Sequence, residues 1–214
     1  MRLRILADAD EVAREAAALI ASEIADGART LVLAGGSTPE RAYMRLRSQS
    51  LDWGRVLVLF GDERCVPPDD PLSNYSMARR TLLEGVHPAG VLRIAAELGP
   101  EVAAADYHHL LDLLGPLDLV LLGMGEDGHC ASLFPNSPQL HATGLAAPVH
   151  HAPKPPADRV TITLRALREA RRVVVLVTGE DKAEALVRAR EGSVPAGLLP
   201  SAEFLVDRLA AARI

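Results

Sequence analysis

The sequence predicts a single-domain α/β fold over residues 1–214, with a largely parallel sheet and helices on both of its faces. Three observations carry that prediction. Helical and strand periods alternate along the chain without a long low-complexity break. Four short apolar runs, Thr30–Ala34, Val56–Phe60, Leu117–Leu122 and Arg172–Val177, read as central strands buried on both faces. Each leads into a glycine followed by polar residues: Gly35-Gly36-Ser37, Gly61-Asp62-Glu63, Gly123-Met124-Gly125 and Gly179-Glu180-Asp181. Ligands of parallel α/β sheets bind beyond the carboxyl ends of the strands, so these four ends are expected to converge on one crevice.

The remaining elements follow in chain order. Arg2–Leu6 is a candidate strand. Val12, Ala16, Leu19, Ile20 and Ile24 recur at helical spacing, so a helix runs over Asp8–Ala25, with Asp8 or Asp10 to cap it. Further helices are expected over Asn74–Leu83, Glu101–Leu114 and Asp181–Glu191, and strands over Val91–Ile94, Arg159–Leu164 and Glu203–Val206. Phe134–Asp158, with prolines at 135, 138, 148, 153, 155 and 156, reads as one long irregular segment, a length that in compact domains usually serves function.

Composition narrows the function classes. With 49% hydrophobic and 24% charged residues and a net charge of -5, the chain is an ordinary globular protein. At this length a single core buries about 70% of the surface that the unfolded chain exposes, without disulfides or a structural metal. No apolar run has signal-peptide or membrane-span length, so a cytoplasmic protein is expected. Cys65 and Cys130 lie far apart and read as free thiols. An acidic balance and only three Phe, three Tyr and one Trp argue against nucleic acid. Of the 23 Lys and Arg residues only Lys154 and Lys182 are lysines, which draws attention to both.

Gly35-Gly36-Ser37-Thr38-Pro39 stands between a strand and a helix. Ser37 or Thr38 can cap that helix and Pro39 suits its first turn, leaving N–H groups and the positive end of the dipole for a phosphate. A capped turn without a ligand is the alternative. Gly123-Met124-Gly125-Glu126-Asp127-Gly128 matches G-x-G-x-x-G, but the acidic residue expected about twenty positions on is missing and a proline-rich segment follows, so dinucleotide binding is rejected. These glycines instead present Asp127 and His129, a carboxylate able to orient an imidazole for general base catalysis. A metal site of Asp127, His129 and Cys130 with His150-His151 is the weaker reading, since the spacing is irregular. His87, His108, His109 and His141 show no constellation and are taken as solvated. Asp62-Glu63-Arg64 reads as a loop after a strand in which a guanidinium could meet developing negative charge. Lys182, in the first turn of a helix, opposes the dipole unless an anion is near.

Together with Ser73-Asn74-Tyr75, Gly128-His129-Cys130-Ala131-Ser132-Leu133-Phe134-Pro135 and Val177-Thr178-Gly179-Glu180-Asp181-Lys182-Ala183, these segments resemble, in order and over nearly the whole chain, the motifs of the 6-phosphogluconolactonases. The resemblance implies a Rossmann-like, NagB-type fold and metal-free hydrolysis of 6-phospho-D-glucono-1,5-lactone in the pentose phosphate pathway, with no cofactor. By it His129 is the base that activates water, with Asp127 beside it, and Asp62 and Arg64 line the reacting end. Gly35, Gly36, Ser37, Thr38, Arg159 and Lys182 match phosphate-facing positions. Arg64 or N–H groups near Gly123 and Gly125 could hold the oxyanion. Cys65 and Cys130 have no base placed for them and are expected to be packing residues. Two positions depart from the family pattern: Asp70, where His is frequent, and Cys130, where Thr is common.

The rival readings are a glucosamine-6-phosphate deaminase or sugar-phosphate isomerase, and a sugar-phosphate sensor without turnover. The first has a carboxylate after its histidine where this chain has Leu133-Phe134-Pro135. The second leaves His129 without a task and lacks room for an N-terminal helix-turn-helix. A compact monomer acting on a small sugar phosphate, with no nucleic-acid or membrane partner, is the expectation.

Overall fold

The computed structural model describes all residues, Met1–Ile214. In chain order the elements are β1 (Arg2–Leu6), α1 (Ala9–Ala25), β2 (Thr30–Leu33), α2 (Ser37–Leu46), β3 (Leu57–Phe60), β4 (Asp62–Arg64), α3 (Asn74–Thr81) and β5 (Gly90–Val91). Then come α4 (Pro100–Leu114), β6 (Leu119–Gly123), β7 (Ala146–Val149), β8 (Arg159–Ile162), α5 (Leu164–Glu169), β9 (Arg172–Val177), α6 (Ala183–Arg190) and β10 (Glu203–Asp207).

Seven strands form one parallel sheet in the order β1-β10-β9-β6-β2-β3-β5. From β2 the chain winds outward to β3 and β5, then crosses back to β6 on the other side of β2 and proceeds to β9 and β10. The direction of winding therefore reverses between β2 and β6, and their carboxyl ends diverge into a crevice. All four residues of β2 and the first four of β6 are buried, as the uninterrupted apolar runs require. Asp8 caps α1 by accepting from the Glu11 amide at 2.8 Å.

Three expectations are corrected. The long irregular segment contains β7, and the Asp62–Arg64 loop is the strand β4. Together with β8 they make a three-stranded antiparallel sheet in the order β4-β8-β7, so β8 does not extend the main sheet. Pro148 is accommodated because β7 is an edge strand. The expected strand at Val91–Ile94 shrinks to Gly90–Val91, an edge pairing with Leu57 and Val58.

Candidate active site

A cavity of 390 Å³ opens at the reversal point, within the range of small-molecule sites. Residues following β2, β3, β6 and β9 line it, so the four strand ends do converge.

On the β2 side the wall is Gly35, Gly36, Ser37 and Thr38. Gly36 supplies the N-cap of α2 and no side chain caps it, contrary to the expectation for Ser37 or Thr38. Both lie inside the first turn, where their amides have no helical partner. The Thr38 hydroxyl instead meets that of Thr178 at 2.7 Å, tying the loop to the end of β9. Behind the loop the buried Tyr43 hydroxyl donates to the Ala34 carbonyl at 2.9 Å and accepts from its amide at 2.8 Å. Tyr107 does the same for Phe60 at the end of β3. Burial pushes both phenols well above their ordinary pKa, so they serve as neutral pins. Neither tyrosine was singled out in the sequence; each would have stood out only as a scarce aromatic in a helix facing a glycine-ended strand.

Asp62 and Arg64 on β4 and Arg159 on β8 form the opposite wall. Asp62 is 6% exposed; one carboxylate oxygen accepts from Ser132 Oγ at 2.6 Å and the other from Asn74 Nδ2 at 2.9 Å. Asn74 Nδ2 also donates to the Asp62 carbonyl, and its Oδ1 lies where a Cβ on Gly35 would stand, 2.0 Å away. Gly35 therefore exists for Asn74 as much as for a ligand. Asn74 is held in turn by Glu63, whose buried carboxylate accepts from the amides of Arg64, Asn74 and Tyr75 and from Ser73 Oγ. Burial pushes the Glu63 pKa up while these four donors oppose the shift.

Arg64 and Arg159 are directly opposite in the β4–β8 register, an unfavourable pairing that an anion relieves. Burial lowers the Arg159 pKa, with Asp62 opposing and Arg64 adding to the shift. Arg159 stands beside Asp62 and Arg64 and lines the same cavity as Lys182. Its Nε and Nη2 donate to the carbonyls of Pro156 and Lys154 at 3.0 and 2.7 Å, stapling the proline-rich segment to the wall. Arg64 Nη1 donates to the Leu72 carbonyl at 2.6 Å and its buried Nε has no partner.

Gly123, Gly125 and His129 complete the floor. His129 Nδ1 meets Asp127 Oδ1 at 2.5 Å, and a Cβ on Gly125 would sit 2.1 Å from the ring. Only glycine lets the backbone pass so close. Phe134 packs against the imidazole at 4.7 Å between centroids. Burial pushes Asp127 up, but the hydrogen bonds and charge of His129 outweigh it and hold Asp127 down at about 2. The Gly125 amide is engaged by the His129 carbonyl at 2.9 Å, which removes it as an oxyanion donor.

From the β9 side comes Lys182, its side chain 17% exposed and its Nζ 2.6 Å from Asp181 Oδ2. The metal reading does not assemble: no three His, Cys, Asp or Glu side chains are close enough to hold an ion. His150 turns instead to Glu101 at 2.7 Å and Asp158 at 3.1 Å. Cys130 is fully buried with its thiol pushed up to about 12, and burial with nearby carboxylates raises Cys65 to about 11, as packing residues would be. Asp70 shapes the turn into α3, accepting from the Leu72 amide at 2.7 Å. His108 is not simply solvated, since its Nδ1 accepts from the Leu145 amide at 3.0 Å.

Residues 7–208 match the family model of glucosamine-6-phosphate isomerases/6-phosphogluconolactonase. The chain belongs to this family. A 6-phosphogluconolactonase of Mycobacterium leprae is 35% identical, with 92% of this chain and 90% of that protein covered. The solved 6-phosphogluconolactonase of Trypanosoma brucei superposes with a TM-score of 0.90 at 27% identity, covering 100% of this chain and 98% of that one. A monomeric glucosamine-6-phosphate deaminase reaches 0.89 at 24% identity over the whole of both chains. Lactonase and deaminase thus share the family fold, and only the site can separate them.

Proposed function

We propose that this chain hydrolyses 6-phospho-D-glucono-1,5-lactone to 6-phospho-D-gluconate, the lactonase step of the oxidative pentose phosphate pathway. The observation that carries the reading is the His129–Asp127 pair at 2.5 Å, on a cavity whose other walls hold three cations. Relatives named for this activity support it. Against a deaminase, the residues after the histidine are the buried Leu133 and Phe134, which offer no carboxylate for proton shuttling.

With Asp127 accepting the Nδ1 proton, Nε2 of His129 is the free base. It takes a proton from water as the oxygen adds to the C1 carbonyl carbon, and the carbonyl electron pair becomes an oxyanion. Arg64, which lines the cavity, stabilises that charge. Collapse breaks the bond from C1 to the ring oxygen, and the imidazolium returns the proton to that oxygen. A lactone is an activated ester, so a placed base worth roughly 10²- to 10⁴-fold suffices without a covalent nucleophile. The α2 amides, Ser37, Thr38 and Lys182 hold the phosphate, and Arg159 faces it from the small sheet. Asp62, with lone pairs left on both oxygens, receives sugar hydroxyls. No helix is long and apolar enough to cross a membrane. A cytoplasmic monomer is the form we propose.

The test mixes the protein with freshly made lactone and follows product through an NADP-linked 6-phosphogluconate dehydrogenase, with spontaneous hydrolysis subtracted and EDTA in a parallel sample. Acceleration that survives EDTA is expected, with KM raised in Lys182→Ala and Arg159→Ala. No acceleration would overturn the reading.

A further inference from the structure

The two lysines of this chain meet at one carboxylate. Lys154 Nζ lies 3.3 Å and Lys182 Nζ 3.5 Å from the same atom, Glu126 Oε1, although 28 residues separate one from the other in sequence. Lys182 lines the cavity, and Glu126 and Lys154 lie outside its lining, joined to it through Lys182. Lys182 is held more closely by Asp181 Oδ2, at 2.6 Å, and Glu126 and Lys154 are each anchored in turn. Arg188 on α6 donates to the Glu126 carbonyl at 3.4 Å, and the cavity-lining Arg159 donates to the Lys154 carbonyl at 2.7 Å. Pro153, Pro155 and Pro156 restrict the backbone around Lys154. An arginine-rich chain thus brings its only two lysines to one carboxylate, and one of the two shares the cavity with Ser37 and Thr38 at the start of α2. Ammonium groups, unlike the planar guanidinium, can rotate onto a tetrahedral anion from any side.

We propose that Lys154 is a second phosphate cation and that Glu126 is the counter-ion holding it beside Lys182, which Asp181 pairs, until the phosphate of the substrate replaces Glu126. This deepens the lactonase reading and rests on it for the identity of the ligand. A monoanionic carboxylate shared by two ammonium groups gives way to a phosphate dianion because the latter carries more charge and three acceptor oxygens. The pair is exposed, so exchange costs little. The arrangement selects for phosphorylated sugars without touching the reacting carbon.

The experiment is calorimetric titration of 6-phosphogluconate and of unphosphorylated gluconate into the wild type, Lys154→Met, Lys154→Arg and Glu126→Gln, alongside the turnover of the wild type on the lactone. Lys154→Met is expected to weaken 6-phosphogluconate about tenfold with no matching change for gluconate, and Lys154→Arg to recover to within about threefold. Glu126→Gln is expected to tighten 6-phosphogluconate about two- to fivefold by removing the competing charge. Equal binding of 6-phosphogluconate by Lys154→Met and the wild type overturns the proposal. So does an equal loss for both ligands, which would make Lys154 a packing element of its loop. Tightening absent in Glu126→Gln removes the counter-ion. A wild type that binds 6-phosphogluconate as expected but does not accelerate lactone hydrolysis would sink the lactonase reading and leave the lysine pair standing.

Discussion

On the small-sheet wall, Asp62, Glu63, Asn74 and Ser132 are each no more than 6% exposed and bonded to one another, whereas at the rim Glu126 and Asp181 are 56% exposed in their side chains and share lysines. The two regions reach one cavity through Asp62 and Asp181 and use the same chemistry, carboxylates with donors, to opposite ends. A buried carboxylate cannot let go of a donor without leaving a polar group unsatisfied, so the wall keeps a single geometry. An exposed ion pair loses little when water or another anion takes over, so the rim can exchange partners.

The largest effect tests where the chemistry lies between these regions. His129→Ala is expected to lower turnover by roughly two to four orders of magnitude while the melting temperature stays near that of the wild type. Near-normal turnover would remove His129 as the base. The contrast between wall and rim is next. Glu63→Ala orphans three backbone amides and Ser73 Oγ, and is expected to cost about 3 kcal/mol in urea unfolding. Asp181→Asn, which cuts an exposed pair, should cost under about 0.5 kcal/mol. Equal costs would abolish the distinction. The smallest effect is a pH dependence. Asp127 is held at about 2 against an ordinary value of 3.8, so it contributes stability that is present above about pH 4 and lost as the pH falls through 2. Its side chain is 42% exposed, so the contribution is below about 1 kcal/mol after screening. Asp127→Asn should flatten that part of the acid-stability curve; an unchanged slope would show that the pair with His129 is not formed in solution.

Much of this was legible along the chain. β2, β3, β6 and β9 announce themselves as apolar runs ended by glycines, and the Gly35-Gly36-Ser37 loop and the Asp127-Gly128-His129 turn follow two of them directly. The small sheet was not legible. β4 is three polar residues without alternation, and β7 carries Pro148 inside a stretch of prolines, so neither has a strand signal of its own. Each exists because β8 lies between them. Glu63 reads as one charge among several after a strand, and only the arrival of the α3 N-terminus gives it the amides of Asn74 and Tyr75 to cap. The Asn74–Gly35 contact is equally silent, because a glycine required by a side chain 39 positions away looks like one required by a phosphate.

Local sequence by itself determined the parallel sheet, the glycine-ended strands and the pairing of Asp127 with His129, since these depend on apolar periodicity and on residues two apart. The tertiary structure alone decided that Asp62 is locked by Asn74 and Ser132, that Arg159 faces Arg64, and that Lys154 and Lys182 share Glu126. Those contacts join residues 12 to 95 positions apart, and short-range pattern carries no record of which distant segments the reversal between β2 and β6 brings together.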